Sequence, residues 1–227
     1  MQPVYNTVSL LSQRLPIETT LIGFAGAPWT VATYMIAGRG TPDQAPAHAL
    51  KHNDIVAFQG LMDVIVEATI EYLAAQVEYG AEVLQLFDSW AGSLVGDDFD
   101  RFCIAPNKAI IDGLRARGVT VPIIGFPRGA KNRYVDFAKE AGVQALSIDQ
   151  DINLSSVISD LPDTIVSQGN LDPLCLIDGG GKMFSQVDEI IEATRGRRHI
   201  FNLGHGITQH TPPQNVSDLV NYIRNKG

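Results

Sequence analysis

The sequence predicts an α/β protein built on parallel strands, and three observations support that class. Six short apolar runs recur along the 227 residues, and most are continuous instead of alternating with polar residues. Such runs are typical of strands that helices cover on both faces. Helical periodicity separates successive runs, which implies parallel βαβ units. Most runs end on glycine or polar residues, where parallel α/β proteins carry their functional groups.

The predicted strands are apolar runs bounded by turn-forming residues. They cover residues 21–24, 83–87, 121–126, 145–148, 164–167 and 199–203. The last run stops abruptly on Gly204-His205-Gly206. Glycines on both sides of a histidine let the backbone approach a ligand closely, so this strand end is a candidate site.

The predicted helices have apolar residues close to a 3.6-residue period. The longest spans residues 46–79 and stops before Gly80, and Pro28 opens another that runs towards Ala37. Further helices are predicted over residues 99–116, 132–141, 186–194 and 213–224. Residues 4–15 are also predicted to be helical, and no strand precedes them. This suggests that the sequence begins in the middle of a fold.

Composition sets limits on the class of protein. Forty-five per cent of the residues are hydrophobic, and no run approaches the length of a membrane span. No composition break divides the chain, so a single domain over residues 1–227 is expected. The net charge of −8 argues against a general nucleic-acid binder. Two cysteines outside any C-x-x-C pair, with no secretory signal, favour a cytoplasmic protein.

The first three strand ends carry polar groups. Tyr34 lies six residues past Pro28, near enough to a strand end for its hydroxyl to meet a ligand, although packing against the fold is the alternative. Asp88, Ser89 and Trp90 follow the second strand, either as a site or as local turn chemistry. After the third strand come three cations that could lie near a bound anion or be solvated: Arg128, Lys131 and Arg133.

The later strand ends are less specific. Residues 168–173 are polar and glycine-rich, and Asp172-Pro173 is expected to open a helix. His205 has a functional and a structural interpretation of equal weight. The other histidines are expected to be non-catalytic, with His48 and His52 on a solvent face, His199 opening a strand and His210 in a loop. There is no phosphate-binding loop, no dinucleotide fingerprint and no His/Cys cluster with metal-ligand spacing.

Four motifs, in order along the chain, together resemble the uroporphyrinogen decarboxylase family. They are LIGFAGAPWT at residues 21–30 with Tyr34 following, LFDSWAG at 86–92, QGNLDP at 168–173 and NLGHG at 202–206. The resemblance implies a (β/α)8 TIM barrel, here incomplete, with about six βα units corresponding to the third to eighth strands. It also implies a cytoplasmic homodimer that removes carboxylate from the four acetate arms of uroporphyrinogen, giving coproporphyrinogen, without metal or cofactor.

The resemblance assigns substrate contact to Tyr34, Ser89 and His205. It assigns no catalytic residue here, because the family's catalytic aspartate, at the end of its second strand, has no counterpart in this sequence. The arginine-rich first strand of the family has no counterpart either, since the neighbourhoods of Arg14 and Arg39 do not match it. We therefore expect about a third of the family's usual length to be absent, and weak or no turnover by this chain alone.

Two alternatives remain at this point. A non-catalytic fragment or degenerate homologue would at most bind porphyrinogen or a partner chain. A corrinoid-dependent methyltransferase would share the barrel and bind zinc through His and Cys. Cys103 falls in a predicted helix and Cys175 lacks the histidine spacing, which weighs against the second alternative.

Overall fold

The structure is a computed structural model that describes residues 1–226. These residues form eleven α-helices and six strands. They fall into two compact units, Met1–Ala145 and the described residues from Leu146 onwards. No helix among the described residues is long and apolar enough to cross a membrane.

The first unit alternates strands and helices as the sequence predicts. Its strands are β1 (Ile22–Gly26), β2 (Val83–Asp88), β3 (Ile123–Pro127) and the start of β4 (Ala145–Ser147). Its helices are α1 (Gln2–Ser12), α2 (Pro28–Ala37), α3 (Ala45–Asn53), α4 (Ile55–Glu78), α5 (Asp97–Phe99), α6 (Ala105–Ala116) and α7 (Tyr134–Ala141). A π-helical turn, Asp100–Ile104, joins α5 to α6, and a 3-10 turn, Ala91–Ser93, follows β2.

Strands β1, β2 and β3 pair in parallel and in chain order. Leu84, Leu86 and Asp88 lie on one face of β2 and are buried. Alternation along the strands places Phe24, Phe87 and Phe126 on the other face, where neighbouring rings meet edge to face with centroids 5.9 Å and 6.1 Å apart. Phe24 is 58% exposed. We call this row of three rings the aromatic surface of the first unit; Phe24 is its exposed member, whereas Phe126 is 4% exposed.

The core of the first unit lies among β2, β3 and the helices α2, α4, α6 and α7. Pro28 supplies the first turn of α2, and Gly38, with φ of 67°, ends that helix in the left-handed region. The largest fully buried side chains are Trp29, Phe58, Met62, Leu73, Leu84, Leu86, Phe102, Ile110, Leu114, Ile123, Tyr134 and Phe137. Helix α2 and the end of β2 therefore pack against a densely filled core.

A side-chain amide covers the middle of β1 on the side away from β2. Gln76 of α4 is buried and accepts a hydrogen bond from the Phe24 N–H at 3.0 Å. Its Nε2 donates to the Phe24 carbonyl oxygen at 3.1 Å. The glutamine amide thereby satisfies backbone groups that a neighbouring strand would otherwise pair.

The second unit contains the rest of β4, then β5 (Val166–Leu171) and β6 (His199–Leu203). Its helices are α8 (Leu154–Asp160), α9 (Pro173–Asp178), α10 (Gly180–Ala193) and α11 (Pro213–Arg224). Strands β5 and β6 pair in parallel, with Ser167 opposite His199 and Leu171 opposite Leu203. The order of the six strands is that of the chain.

Among the predicted elements that differ from the structure, two do so for clear local reasons. The predicted helix over residues 46–79 is two helices, because Asp54 leaves the helical region with φ of −146° and ψ of 80° and caps α4 by accepting a hydrogen bond from the Ala57 N–H at 2.9 Å. The predicted strand 164–167 begins later and continues to Leu171. The polar residues Gln168 and Asn170 therefore lie inside β5 and not in the loop after it.

Candidate functional site

The end of β2 in the first unit carries the densest set of polar groups. Asp88 is the last residue of the strand and is 1% exposed, while Ser89 and Trp90 form the turn that follows and are half-buried. We call residues 89–93 the β2 turn. Asp88 lies on the helix-facing side of the sheet, so its side chain is beneath the β2 turn and not open to solvent.

A threonine hydroxyl connects Asp88 to the β2 turn. Thr30, in the first turn of α2, donates from Oγ1 to Asp88 Oδ1 at 2.7 Å. The same Oγ1 accepts a hydrogen bond from the Trp90 N–H at 3.2 Å. Because a hydroxyl has one proton, donating it to the carboxylate leaves a lone pair for the amide. The three residues form one chain of hydrogen bonds around Ser89.

Trp29 anchors the same turn from the core. Its indole Nε1–H donates to the Trp90 carbonyl oxygen at 3.1 Å and to Ser93 Oγ at 3.2 Å. The ring is 0% exposed and packs against Phe58 and His48, with centroid distances of 5.9 Å and 5.0 Å. The β2 turn is thus held through both its amide and its carbonyl groups. Sequence reasoning missed this role of Trp29, although its place beside Pro28 at a strand end was a usable signal.

The Asp88 carboxyl is in an environment that disfavours its charge. Burial raises the pKa of Asp88 to about 6, while hydrogen bonds from Thr30 and from the buried Cys103 thiol limit the rise. Among residues 1–226, no nitrogen or oxygen donor reaches its Oδ2. Burial, and then the Asp88 charge, raise the pKa of Cys103 well above its ordinary value. The carboxyl therefore changes charge near neutral pH, whereas the thiol stays protonated.

Tyr34 lies two turns into α2, at the same end of the first unit as the β2 turn. Its ring is 44% exposed and its centroid is 6.4 Å from that of Trp90. A Cβ on Gly40 would lie 3.3 Å from Tyr34 Cε1, so the chain after α2 passes close to the ring. The structure brings Tyr34 beside the residue that follows Ser89, with much of its surface accessible.

The cations after β3 differ in availability. Arg133 forms ion pairs with Asp100 and Asp136, and its guanidinium lies 5.0 Å from the centroid of the Phe99 ring. The Arg133 guanidinium therefore already has partners within the fold. Lys131 is exposed, and Arg128 is half-buried. The Arg128 N–H donates to the Asp88 carbonyl oxygen at 3.1 Å, and its carbonyl accepts from the Gly92 N–H at 2.9 Å.

Contact between the loops after β2 and β3 explains one glycine pair. A Cβ on Gly92 would lie 3.0 Å from the Cα and the carbonyl oxygen of Gly129. Side chains at either position would separate the two loops, and Gly129 also has φ of 76°. This close approach keeps Arg128 next to the β2 turn.

In the second unit, the polar residues of the QGNLDP motif have structural roles. Asn170 Nδ2 donates to the carbonyl oxygens of Asp149 and Ile152 at 2.9 Å and 3.1 Å. Gln168 Nε2 donates to Ser147 Oγ at 3.2 Å. Asp172 caps α9 by accepting a hydrogen bond from the Leu174 N–H at 2.8 Å, as predicted for a helix start.

His205 follows β6 and is exposed. The preceding Gly204 is buried, and a Cβ there would lie 2.3 Å from the Gln150 backbone nitrogen. Only glycine fits this approach, so the strand end that carries His205 is fixed by packing. His205 also makes an interaction within the described part of the chain.

The remaining histidines are distributed as follows. His199 is half-buried, with Nδ1 2.8 Å from Ser167 Oγ and Nε2 2.8 Å from the Gly169 carbonyl oxygen. Burial lowers its pKa, so the neutral ring is favoured. The prediction of a solvent-facing His48 is wrong, because its ring packs on Trp29; burial, and then Lys51, lower its pKa. His52 and His210 are exposed.

Comparison with known proteins gives consistent results. The family model described as uroporphyrinogen decarboxylase (URO-D) matches residues 1–226. The uroporphyrinogen decarboxylase of Paracoccus denitrificans is 53% identical over 224 residues, and that of a Jannaschia species is 54% identical over 224 residues. Both matches cover 99% of this chain, but 66% and 65% of the relatives. The chain spans about two thirds of the length of the curated relatives it matches.

Solved structures support the fold. A methyltransferase from Methanosarcina mazei superposes with a TM-score of 0.82 at 22% identity, covering 98% of this chain and 63% of that one. A dihydrodipicolinate synthase from Oceanobacillus iheyensis gives 0.54 at 9% identity, covering 99% and 57%. At these identities the likeness concerns fold alone. The predicted α/β class of the (β/α)8 barrel type, with six βα units, is confirmed. With a family model matched along residues 1–226, the chain belongs to the uroporphyrinogen decarboxylase family.

Proposed function

We propose that the protein to which this chain belongs removes the carboxyl groups of the four acetate arms of uroporphyrinogen, giving coproporphyrinogen. The family match along residues 1–226 is the observation that carries the proposal. It is supported by relatives of that name at 53% and 54% identity. The activity is proposed for the whole protein, because the chain spans 66% and 65% of those relatives.

The proposed decarboxylation requires few functional groups from the protein. Loss of carbon dioxide from an acetate arm leaves a carbanion, and protonation of the electron-rich pyrrole supplies the electron sink. The substrate therefore acts as its own cofactor, and the protein must orient the macrocycle and bind its carboxylates. This is consistent with the family resemblance, which implies neither metal nor cofactor.

We propose that the hydroxyls of Tyr34 and Ser89 donate hydrogen bonds to substrate carboxylates. The exposure of Tyr34 and the anchored β2 turn support this assignment. The aromatic surface of the first unit, with Phe24 at 58% exposure, suits an apolar macrocycle. His205, exposed after β6 in the second unit, is the third proposed contact and can donate whether neutral or protonated.

The charge balance requires further cations. The substrate carries eight carboxylates and the chain has a net charge of −8. Arg128 is the cation best placed near the β2 turn, because Arg133 is held by Asp100 and Asp136. We propose that most carboxylate-binding arginines lie in the part of the relatives that this chain does not span. The same resemblance leads us to propose a cytoplasmic homodimer. From the net charge of −8 and the lack of a composition break we propose no nucleic-acid partner and one (β/α) domain.

Uroporphyrin binding tests the proposed contacts. We expect Tyr34→Phe, Ser89→Ala and His205→Ala each to weaken binding about tenfold or more, because each removes a hydrogen bond to a charged group. Binding is measured by porphyrin fluorescence titration of the 227-residue chain. Ser155→Ala, at an exposed serine of α8, is the matched control and should bind as the unaltered chain does. Equal affinity in all four variants would refute the assignment.

A further inference from the structure

We propose that Asp88 is a positioning residue whose charge state sets the placement of the β2 turn, and with it the hydroxyl of Ser89. The proposal deepens the proposed function: its consequence for substrate rests on that function, but its effect on the turn does not. Asp88 contacts no substrate itself in this account. It acts through Thr30 on the backbone on the far side of Ser89.

Two connections let Asp88 act on the β2 turn. It is joined to the β2 turn twice, covalently through Ser89 and by hydrogen bonds through Thr30 Oγ1 to the Trp90 N–H. Donation from Thr30 to an ionised carboxyl is charge-assisted, and such bonds are shorter and stronger than neutral ones. The charge on Asp88 therefore fixes the direction of the Thr30 proton and leaves its lone pair facing Trp90. Neutral Asp88 holds the hydroxyl less firmly.

The surroundings of Asp88 let its charge vary. From α2 it faces the neutral Thr30, and from the π-helical turn the Cys103 thiol. From β3, Arg128 donates its backbone N–H to the Asp88 carbonyl oxygen. Arg133, which follows β3, pairs with Asp100 and Asp136 and not with Asp88. No described salt bridge fixes the Asp88 charge, in agreement with a pKa raised by burial to about 6.

Tryptophan fluorescence reports this equilibrium directly. The chain has two tryptophans, and both Trp29 and Trp90 are in the hydrogen-bond network of the β2 turn. We expect the emission of the unliganded chain to change with a midpoint near pH 6 when titrated between pH 5 and pH 8. Because the sequence pI is about 5.0, the titration is run at micromolar concentration. Asp88→Asn keeps an acceptor for Thr30 but no titrating group, so the transition should vanish.

Two controls separate Asp88 from other titrating groups. His48 packs on Trp29, so a change in its charge would alter the Trp29 emission. If Asp88 causes the transition, His48→Asn should leave it in place. Asp97→Asn, at an exposed carboxyl of α5, should leave it unchanged as well. A transition that persists in Asp88→Asn and disappears in His48→Asn would overturn the proposal. Infrared difference spectra of the unaltered chain give a second test, because loss of a buried carboxylic acid band near pH 6 is expected without any substitution.

The link to substrate is tested by uroporphyrin affinity across the same pH range. The ligand's own titration cancels in the ratio of affinities of the unaltered chain and Asp88→Asn. We expect this ratio to fall at least threefold between pH 7.5 and pH 5.5, following the fluorescence. A constant ratio together with a fluorescence transition would show that Asp88 moves the turn but does not position Ser89, which overturns the proposal. Absence of porphyrin binding in every variant would count against the proposed function, while the fluorescence still decides the effect of Asp88.

Discussion

Replacing Trp29 by alanine is expected to lower the free energy of unfolding by about 3–5 kcal/mol, the range for large aromatic truncations in cores. The ring is 0% exposed, so the substitution leaves a cavity between α2 and α4. It also removes the indole donor to the Trp90 carbonyl oxygen and Ser93 Oγ. The turn that carries Ser89 should loosen, and porphyrin affinity should fall with it.

Urea unfolding of two further variants separates packing from hydrogen bonding at Trp29. Trp29→Phe fills most of the volume but cannot donate, and a loss of about 1 kcal/mol is expected for the missing hydrogen bond. The loss is small because the Ser93 hydroxyl and N–H still donate to the Trp90 carbonyl oxygen. Trp90→Ala, at a half-buried tryptophan of the same network, should cost less than Trp29→Ala. If Trp29→Ala lies within about 1 kcal/mol of the unaltered chain, the anchoring role assigned to this side chain is wrong.

The Asp88 carboxyl is expected to make the chain less stable as the pH rises from about 4 to about 7. Its pKa is about 6 in the folded chain against an ordinary value of 3.8, so the folded state binds more protons over this interval. Since stability falls with pH wherever the folded state holds the extra proton, the loss begins above the unfolded pKa and is complete above pH 6. A difference of about two pH units corresponds to roughly 3 kcal/mol.

The measurement compares urea unfolding of the unaltered chain and Asp88→Asn at several pH values. The difference in unfolding free energy should shift in favour of the variant by roughly 3 kcal/mol between pH 4 and pH 7.5. His48 and His199 act in the opposite direction, because their lowered pKa values cost stability as the pH falls. Both histidines are present in the two chains, so their effects cancel. A pH-independent difference would mean that Asp88 does not titrate as described.

Where a single segment carried its own start and stop signals, sequence reasoning predicted the element correctly. Pro28 begins α2, which runs to Ala37 as predicted, and Pro213 begins α11. The spacing of apolar residues in α4 continues on the N-terminal side of Asp54, so the sequence predicted one helix there instead of two. Asp54 caps α4 because of its backbone angles, which the spacing of apolar residues does not predict. In β5, the polar Gln168 and Asn170 are tolerated because Ser147, Asp149 and Ile152 satisfy their amides.

The candidate site was predictable only in part for the same reason. Ser89, Tyr34 and His205 come from motifs that are contiguous in sequence, and the structure positions them at or near strand ends. The hydrogen bonds that hold the turn around Ser89 join residues some 60 positions apart, such as Thr30 with Asp88 and Trp29 with Trp90. No local pattern encodes those pairs. They appear only when α2 packs over the end of β2.

The most direct measurement is turnover of anaerobically prepared uroporphyrinogen, with products separated by number of carboxylates. The chain is assayed alone and fused to the part of the Paracoccus denitrificans relative that lies outside the 66% covered by the match. We predict coproporphyrinogen from the fusion, weak or no product from the chain alone, and reduced product from the fusion with Ser89→Ala. A folded fusion that yields no product while the intact relative is active would contradict the account and favour a non-catalytic role.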